Sequence, residues 1–142
     1  MSNKTIIGLT GPFGSGCTYI AHDFFEPAGY QYLSLSEILK GEYKNEFKKE
    51  DPPTRTELQD FGNKLREKEG TDVLAKRACR IINKRKEEKW VIDSIRNTHE
   101  IEFLKKAFGS TYIIAAWAEQ ETRWGRVEGK YNRNRVAFEA DD

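Results

Sequence analysis

Between Leu9 and Tyr19 the chain reads Thr10-Gly11-Pro12-Phe13-Gly14-Ser15-Gly16-Cys17-Thr18, and no other stretch restricts the fold as much. A short apolar, β-branched run from Thr5 to Leu9 precedes it. Tyr19, Ile20, Phe24 and Phe25 follow at helical spacing until Pro27 and Gly29 stop the pattern. A strand that turns through glycines straight into a helix fits G-x-x-x-x-G-K-[ST], with Cys17 at the lysine position. Glycines there let backbone N–H groups point inward, forming an anion cradle at a helix N-terminus. Gly11, Gly14, Ser15, Gly16, Cys17 and Thr18 are therefore the candidate phosphate-binding residues, with the Thr18 hydroxyl a candidate ligand for Mg²⁺. The competing reading is a tight turn without a ligand.

The rest of the chain alternates strand-like and helix-like stretches. Tyr30 to Leu35 predicts a second strand, with Ser36 capping a turn through Glu37-Ile38-Leu39-Lys40. Gly41 to Asp51 is charged and weakly periodic, and predicts a surface excursion closed by Pro52-Pro53. Thr56 to Lys68 (Leu58, Phe61, Leu65) and Thr71 to Lys86 (Val73, Leu74, Ala78, Ile81, Ile82) predict amphipathic helices. Trp90 to Asp93 predicts a strand ending in an acid, and Thr98 to Phe108 a helix closed by Gly109. Tyr112 to Trp117 predicts a fourth strand and Glu119 to Arg126 a short helix, before a basic, polar stretch from Val127 to Arg135. Residues 136–142 carry no apolar strand run and read as a tail. Trp90, Trp117 and the helically spaced phenylalanines are expected in the core, whereas Trp124 either stacks on a base or covers the sheet edge. This order predicts a three-layer α/β/α fold on a mostly parallel sheet, with ligands at the strand C-terminal edge.

Composition excludes other classes. The 142 residues are one domain's worth, and 24 basic against 23 acidic side chains leave a net charge of +1. No chain-wide attraction to nucleic acid or anionic lipid follows from that balance. The longest apolar run, Tyr112 to Ala118, is too short to span a bilayer, and the stretch before Gly11 is too short for a signal peptide. Cys17 and Cys79 form no metal or disulfide pattern, and His99-Glu100 has no second His four positions on. A cytoplasmic globular protein is expected.

On these residues the chain resembles the nucleotide-kinase branch of P-loop proteins: adenylate kinases, dephospho-CoA kinases and deoxynucleotide monophosphate kinases. The likeness runs from Thr5 to Arg126. It implies a kinase-like domain over residues 1–135, with an acceptor-binding excursion at 36–70 and a lid at 121–135, and a sheet lacking the family's last strand and helix. It implies Mg²⁺ with a nucleoside triphosphate at a degenerate Walker A loop. Lys40, Arg55 and Arg66 would meet substrate phosphate. Asp93-Ser94-Ile95-Arg96 is similar to a D-G-x-R segment in which the acid helps organise Mg²⁺ and the arginine binds a phosphoryl oxygen. Arg123 and Arg126 would be lid arginines clamping the transferring group. Each has a plainer reading: Asp93 as a helix cap, Arg96 as an ion pair with Glu100, and the other cations as solvated surface charge.

The spelling G-P-F-G-S-G-C-T is also similar to the N-terminal P-loop domain of deoxycytidylate-deaminase-like proteins. That likeness implies a regulatory or sensor domain with a deaminase domain following, although H-x-E and P-C-x-x-C are both absent here. An active nucleotide kinase and a protein-interaction module are the other readings.

The loop lysine of such proteins spans the β- and γ-phosphates. Cysteine brings no positive charge, so the departure bears on catalysis more than on binding. Lys4 falls at the far end of the strand, and the lid arginines are better placed to substitute. A thiol at a helix N-terminus also tends toward a lowered pKa, which would permit a redox-sensing loop, although no resolving cysteine is near in sequence.

Overall fold

Thr5–Thr10 forms strand β1, with Ile6, Ile7, Gly8 and Leu9 all buried. A strand buried on both faces belongs in the middle of a parallel sheet. In the computed structural model, which describes residues 3–131 and 133–141, β1 lies between β3 (Lys89–Ile95) and β4 (Ser110–Ala115). β2 (Gln31–Ser34) takes the outside of β3, and every pairing is parallel. The order is β2-β3-β1-β4. The α/β fold expected from the alternation is the one observed. Among the described residues the sheet ends at β4.

Side-chain alternation divides the core between the two faces. Ile6, Trp90 and Ile92 point to one face, where α2 (Leu35–Phe47), α4 (Val73–Asn83) and α5 (Thr98–Ala107) bring Leu39, Leu74, Ile82 and Leu104. Ile7, Leu9 and Val91 point to the other. They pack on α1 (Cys17–Ile20) and the π-helical turn that continues it, Ala21–Phe25. β4 stands at the sheet's margin. Its Tyr112 and Ile114 lie in register with Ile7 and Leu9 and are exposed. Trp117, just beyond the strand, is 74% exposed rather than in the core, and Phe24 is 62% exposed, its ring edge-on to Tyr19. Trp90 is fully buried, as expected.

Two helices differ from the sequence expectation. α2 is capped by Ser34, whose hydroxyl accepts from the Glu37 N–H, not by Ser36. It then runs through Gly41 to Phe47, where an excursion was expected. Leu35, Leu39, Tyr43 and Phe47 recur every fourth residue, and Tyr43 packs on Phe47 and on Phe61 of α3 (Arg55–Glu69). A side-chain row of this spacing holds a helix where charge dominates the composition. Lys48, at φ 50, ends it. α3 opens with a capping box between Thr54 and Glu57.

Residues 120–141 also gain structure. α6 (Gln120–Val127) is followed by a 3₁₀ turn, Glu128–Tyr131, and then by α7 (Arg135–Asp141), where a tail was expected. Phe138 of α7 is buried against Trp124 and Tyr131. Trp124 is therefore a packing residue. Asp142 lies outside the described residues. Among the described residues no helix is long and apolar enough to cross a membrane.

Candidate functional site

The glycine-rich turn connects β1 to α1 at the C-terminal edge of the sheet. Gly14 and Gly16 hold φ of 88° and 99°, the left-handed region that side chains rarely adopt. At Gly14 an added Cβ would also lie 3.0 Å from Arg123 Cβ and 3.1 Å from Val127, so the loop is seated directly on α6. The Ser15 N–H donates to Pro12 O at 3.0 Å, closing the turn. Gly11 to Thr18 line one wall of a cleft of about 820 Å³ whose other walls include Asp93, Arg96, Arg126 and Lys130.

Asp93 organises the floor. Its Oδ2 accepts from Thr18 Oγ1 at 2.7 Å and from Tyr32 Oη at 2.9 Å, and its Oδ1 accepts from the Ser94 N–H at 2.7 Å. Burial first, and then the Asp93 charge, hold the Tyr32 phenol well above its ordinary range. Ser94 follows with φ of 67°, a left-handed residue that is not glycine. Backbone strain of this kind concentrates at functional sites. Thr18 and Asp93 thus present adjacent hard oxygen donors, the ligand type that suits Mg²⁺. Among the described residues no group of three or more His, Cys, Asp and Glu side chains could hold a metal by itself. The donor set fits an ion that keeps waters and shares the rest of its shell with a bound phosphate.

A second, smaller pocket of about 220 Å³ opens beside this cleft. Arg55, Arg66 and Arg96 line it, with Gln59, Asn63 and the apolar side chains of Leu39, Leu58 and Leu74. Burial, followed by the like charges of Arg55 and Arg66, pushes the Arg96 guanidinium below its ordinary range. Glu100 does not close the expected i,i+4 pair with the Arg96 side chain. It is fully buried, and its Oε1 accepts the Arg96 and Asn97 N–H groups at 2.7 and 3.1 Å in the capping box of α5. Glu100 Oε2 and Arg66 Nε are both buried without a hydrogen-bond partner among the described residues. Burial pushes the Glu100 carboxyl up, against the lowering pull of its N–H donors and of Arg66 and Arg96.

The remaining cations separate by position. Arg55 lies over the Phe13 ring at 3.6 Å and donates from Nε to Tyr131 Oη at 2.6 Å, tying α3 to the loop and to the segment after α6. Arg123 is buried and donates to Ala118 O at 2.9 Å and Phe13 O at 3.4 Å. Arg126 is exposed and donates to Gly14 O at 2.8 Å. Lys40 lines the cleft and pairs with Glu37 at 3.1 Å. Arg135 pairs with Glu121 and Glu139, away from the loop. Lys4 holds Arg85 O and Glu87 O at the opposite end of β1, as expected. The Cys17 thiol is half-buried, 3.8 Å from Ser15 Oγ, and burial pushes it up, opposite to the lowering expected at the helix end.

Other residues of the site were not singled out from the sequence. Tyr32 carried one signal, its alternation with Leu33 along β2, which marks its face of the sheet but not its meeting with Asp93. Ser94 was visible as the residue at the glycine position of D-G-x-R. Gln59 and Asn63 fall within the acceptor-binding excursion at 36–70 and Lys130 within the lid at 121–135 that the resemblance implied.

Comparison with solved structures places the fold among P-loop kinases. A gluconokinase from Sinorhizobium meliloti superposes with a TM-score of 0.56 at 12% identity, covering 99% of this chain and 74% of that one. Shikimate kinase from Acinetobacter baumannii, in complex with shikimate, gives 0.55 at 18% identity, covering 92% and 66%. TT1252 from Thermus thermophilus gives 0.61 at 21% identity, covering 97% and 78%. No family profile matches the chain. Among curated sequences, a UPF0200 protein of Methanothermobacter thermautotrophicus is 26% identical over 125 residues, 88% of this chain and 61% of its own length. A UPF0200 protein of Sulfurisphaera tokodaii is 33% identical over 127 residues, 89% of this chain and 67% of its own length. The chain thus spans 61% and 67% of these two relatives, and nothing in their names points to a deaminase. With that identity and coverage, this chain belongs to the UPF0200 protein family.

Proposed function

We propose that the domain binds a nucleoside triphosphate with Mg²⁺ at the glycine-rich loop and transfers its terminal phosphoryl group to a small anionic acceptor held in the arginine pocket. One observation carries this reading. The two cavities share Ser36, Arg55, Leu58, Ser94 and Arg96 as common walls, so a donor on the loop and an acceptor among the arginines would face each other. A site that only bound nucleotide would have no use for a second, cationic pocket opening onto the first.

The roles follow from position. Thr18 and Asp93 would hold Mg²⁺, which when bound neutralises phosphate charge and orients the phosphoryl group. Tyr32 and the Ser94 N–H fix the Asp93 carboxylate through its two oxygens. Arg96, between the cavities, is placed to meet a phosphoryl oxygen. Arg55 and Arg66 hold the acceptor's anionic group, and Leu39, Leu58 and Leu74 its apolar part. Lys40 lines the cleft. The test is ADP release from ATP with a panel of nucleoside monophosphates and other phosphorylated or carboxylated small molecules. Turnover lost in Arg66→Ala and Arg96→Ala supports the reading. Absence of turnover with every acceptor, in a protein that binds ATP, counts against it.

A second reading keeps the nucleotide and drops the transfer. It rests on Cys17, which removes the loop charge that aligns the phosphates. The domain would then be a nucleotide sensor within a longer protein. Turnover absent in the wild type and strongly gained in Cys17→Lys would favour it.

A further inference from the structure

We propose that Glu100 couples the arginine pocket to pH: its ionised carboxylate and an acceptor's anionic group compete for Arg66 and Arg96, so the pocket takes up a proton with the anion. The inference rests on the acceptor reading above and adds to it a residue outside the pocket lining.

Glu100 has no exposed surface, and its two oxygens are treated differently. Oε1 accepts the Arg96 and Asn97 N–H groups, whereas Oε2 is buried with no hydrogen-bond partner among the described residues. Arg66 Nε, on α3, is a second buried polar atom without one. Capping α5 needs only Oε1, and a glutamine would serve that cap as well. The ionisable oxygen left over is what the cap does not explain.

The charged groups with the largest effect on this carboxyl are Arg66 and Arg96. α4 faces it with apolar Leu74 and Ala78, and its Lys76 is directed to Phe103 and Asp72. β4 carries no acid or base besides the exposed Tyr112. Arg55, Arg66 and Arg96 thus gather three like charges around about 220 Å³, and an ionised Glu100 offsets one of them. An anion seated among the arginines does the same from the other side. Two negative groups then share the same guanidiniums, and the buried one gives way. An unpaired ionised oxygen away from water costs more than a neutral carboxyl. The proton comes from solvent and settles on Oε2, the oxygen that no N–H holds. Burial already pushes this carboxyl up, in the direction of that step.

Titration calorimetry of the whole chain with sulfate, in two buffers of different ionisation enthalpy, counts the protons taken up per anion. The glycine-rich loop also offers N–H groups to sulfate, so the share of binding lost in Arg66→Gln is the share of the pocket. For that share, wild type is expected to take up a fraction of a proton per sulfate. Its affinity should fall at least about fivefold from about pH 5 to about pH 8, the low end for coupled sites. Glu100→Gln keeps an acceptor for the two N–H groups and cannot ionise, so both effects should shrink. His22 and His99 are present in both proteins and cancel in the comparison. In wild type alone, sulfate should also add a carboxylic-acid C=O band to the infrared difference spectrum, a readout that does not depend on a variant folding. Equal proton uptake in wild type and Glu100→Gln, or no such band, overturns the proposal and leaves the anion pocket standing. Sulfate binding unchanged in Arg66→Gln overturns the acceptor reading and the proposal with it.

Discussion

The hydroxyl of Thr18 donates to Asp93 Oδ2 at 2.7 Å, joining the first turn after the glycine-rich loop to the C-terminal end of the neighbouring strand. Two positions far apart in sequence thereby present their oxygens side by side, and the binding behaviour of the cleft should depend on both. Thr18→Ala and Asp93→Asn are each expected to weaken ATP by about 10- to 100-fold in Mg²⁺, the effect of losing one charge-assisted contact. The difference between titrations with Mg²⁺ and with EDTA should shrink in both variants. Equal Mg²⁺ dependence in wild type and variants would dissociate this pair from the metal.

Ser94 sits at φ 67°, in the left-handed region, immediately after Asp93. Non-glycine residues held there cost about 1–3 kcal/mol. Ser94→Gly should therefore raise stability by about 1 kcal/mol, after the added flexibility of glycine in the unfolded chain is counted. Urea unfolding followed by circular dichroism measures it. If that strain holds Asp93 in place, the same variant should bind Mg-ATP less tightly while being more stable.

Burial raises the Glu100 carboxyl above its ordinary value of 4.5. A carboxyl raised in the folded state holds its proton more tightly there than in the unfolded chain. Its contribution to stability is present below the unfolded value and is lost as pH rises through the folded value. Glu100→Gln keeps an acceptor for the Arg96 and Asn97 N–H groups and cannot ionise. Relative to wild type, its urea midpoint should gain as pH rises above the ordinary carboxylate range. A difference that stays constant with pH would mean that the carboxyl is not raised.

Phe138 is 1% exposed, packed on Trp124 and Tyr131. Phe138→Ala should cost about 3 kcal/mol if α7 is an integral part of the core. Because Tyr131 also holds Arg55, the same change should loosen the contact between α3 and the loop. Denaturant midpoints for Phe138→Ala and Arg55→Ala, singly and together, check this, and coupling between them should be less than additive.

The parts legible in sequence were those fixed by local chemistry. Thr5 to Thr18 announces strand, turn and helix within one stretch, because apolar run, glycines and helical spacing follow directly on one another. The helices over Thr56 to Lys68 and Thr98 to Phe108 were equally local, each bounded within one stretch and closed by a glycine. The misses depended on partners far away in sequence. Tyr43 and Phe47 are helical because Phe61 lies beside them, and Phe138 folds a short helix because Trp124 receives it. The Cys17 thiol is raised because its burial comes from the rest of the fold, which the local helix end does not reveal. The meeting of Arg55, Arg66 and Arg96 in one pocket needed the assembled fold, since α3 and the end of β3 lie far apart along the chain.

β1 takes its neighbours from residues 89–95 and 110–115, none of them close to it along the chain. The turn after β1 therefore has no fixed stem when it leaves the ribosome, and its geometry waits for both later strands. Pairing across such separations is slow to close. The loop that looks most autonomous in the sequence is stemmed by strands far along the chain, so a chain arrested before Lys89 would carry the motif without the cradle.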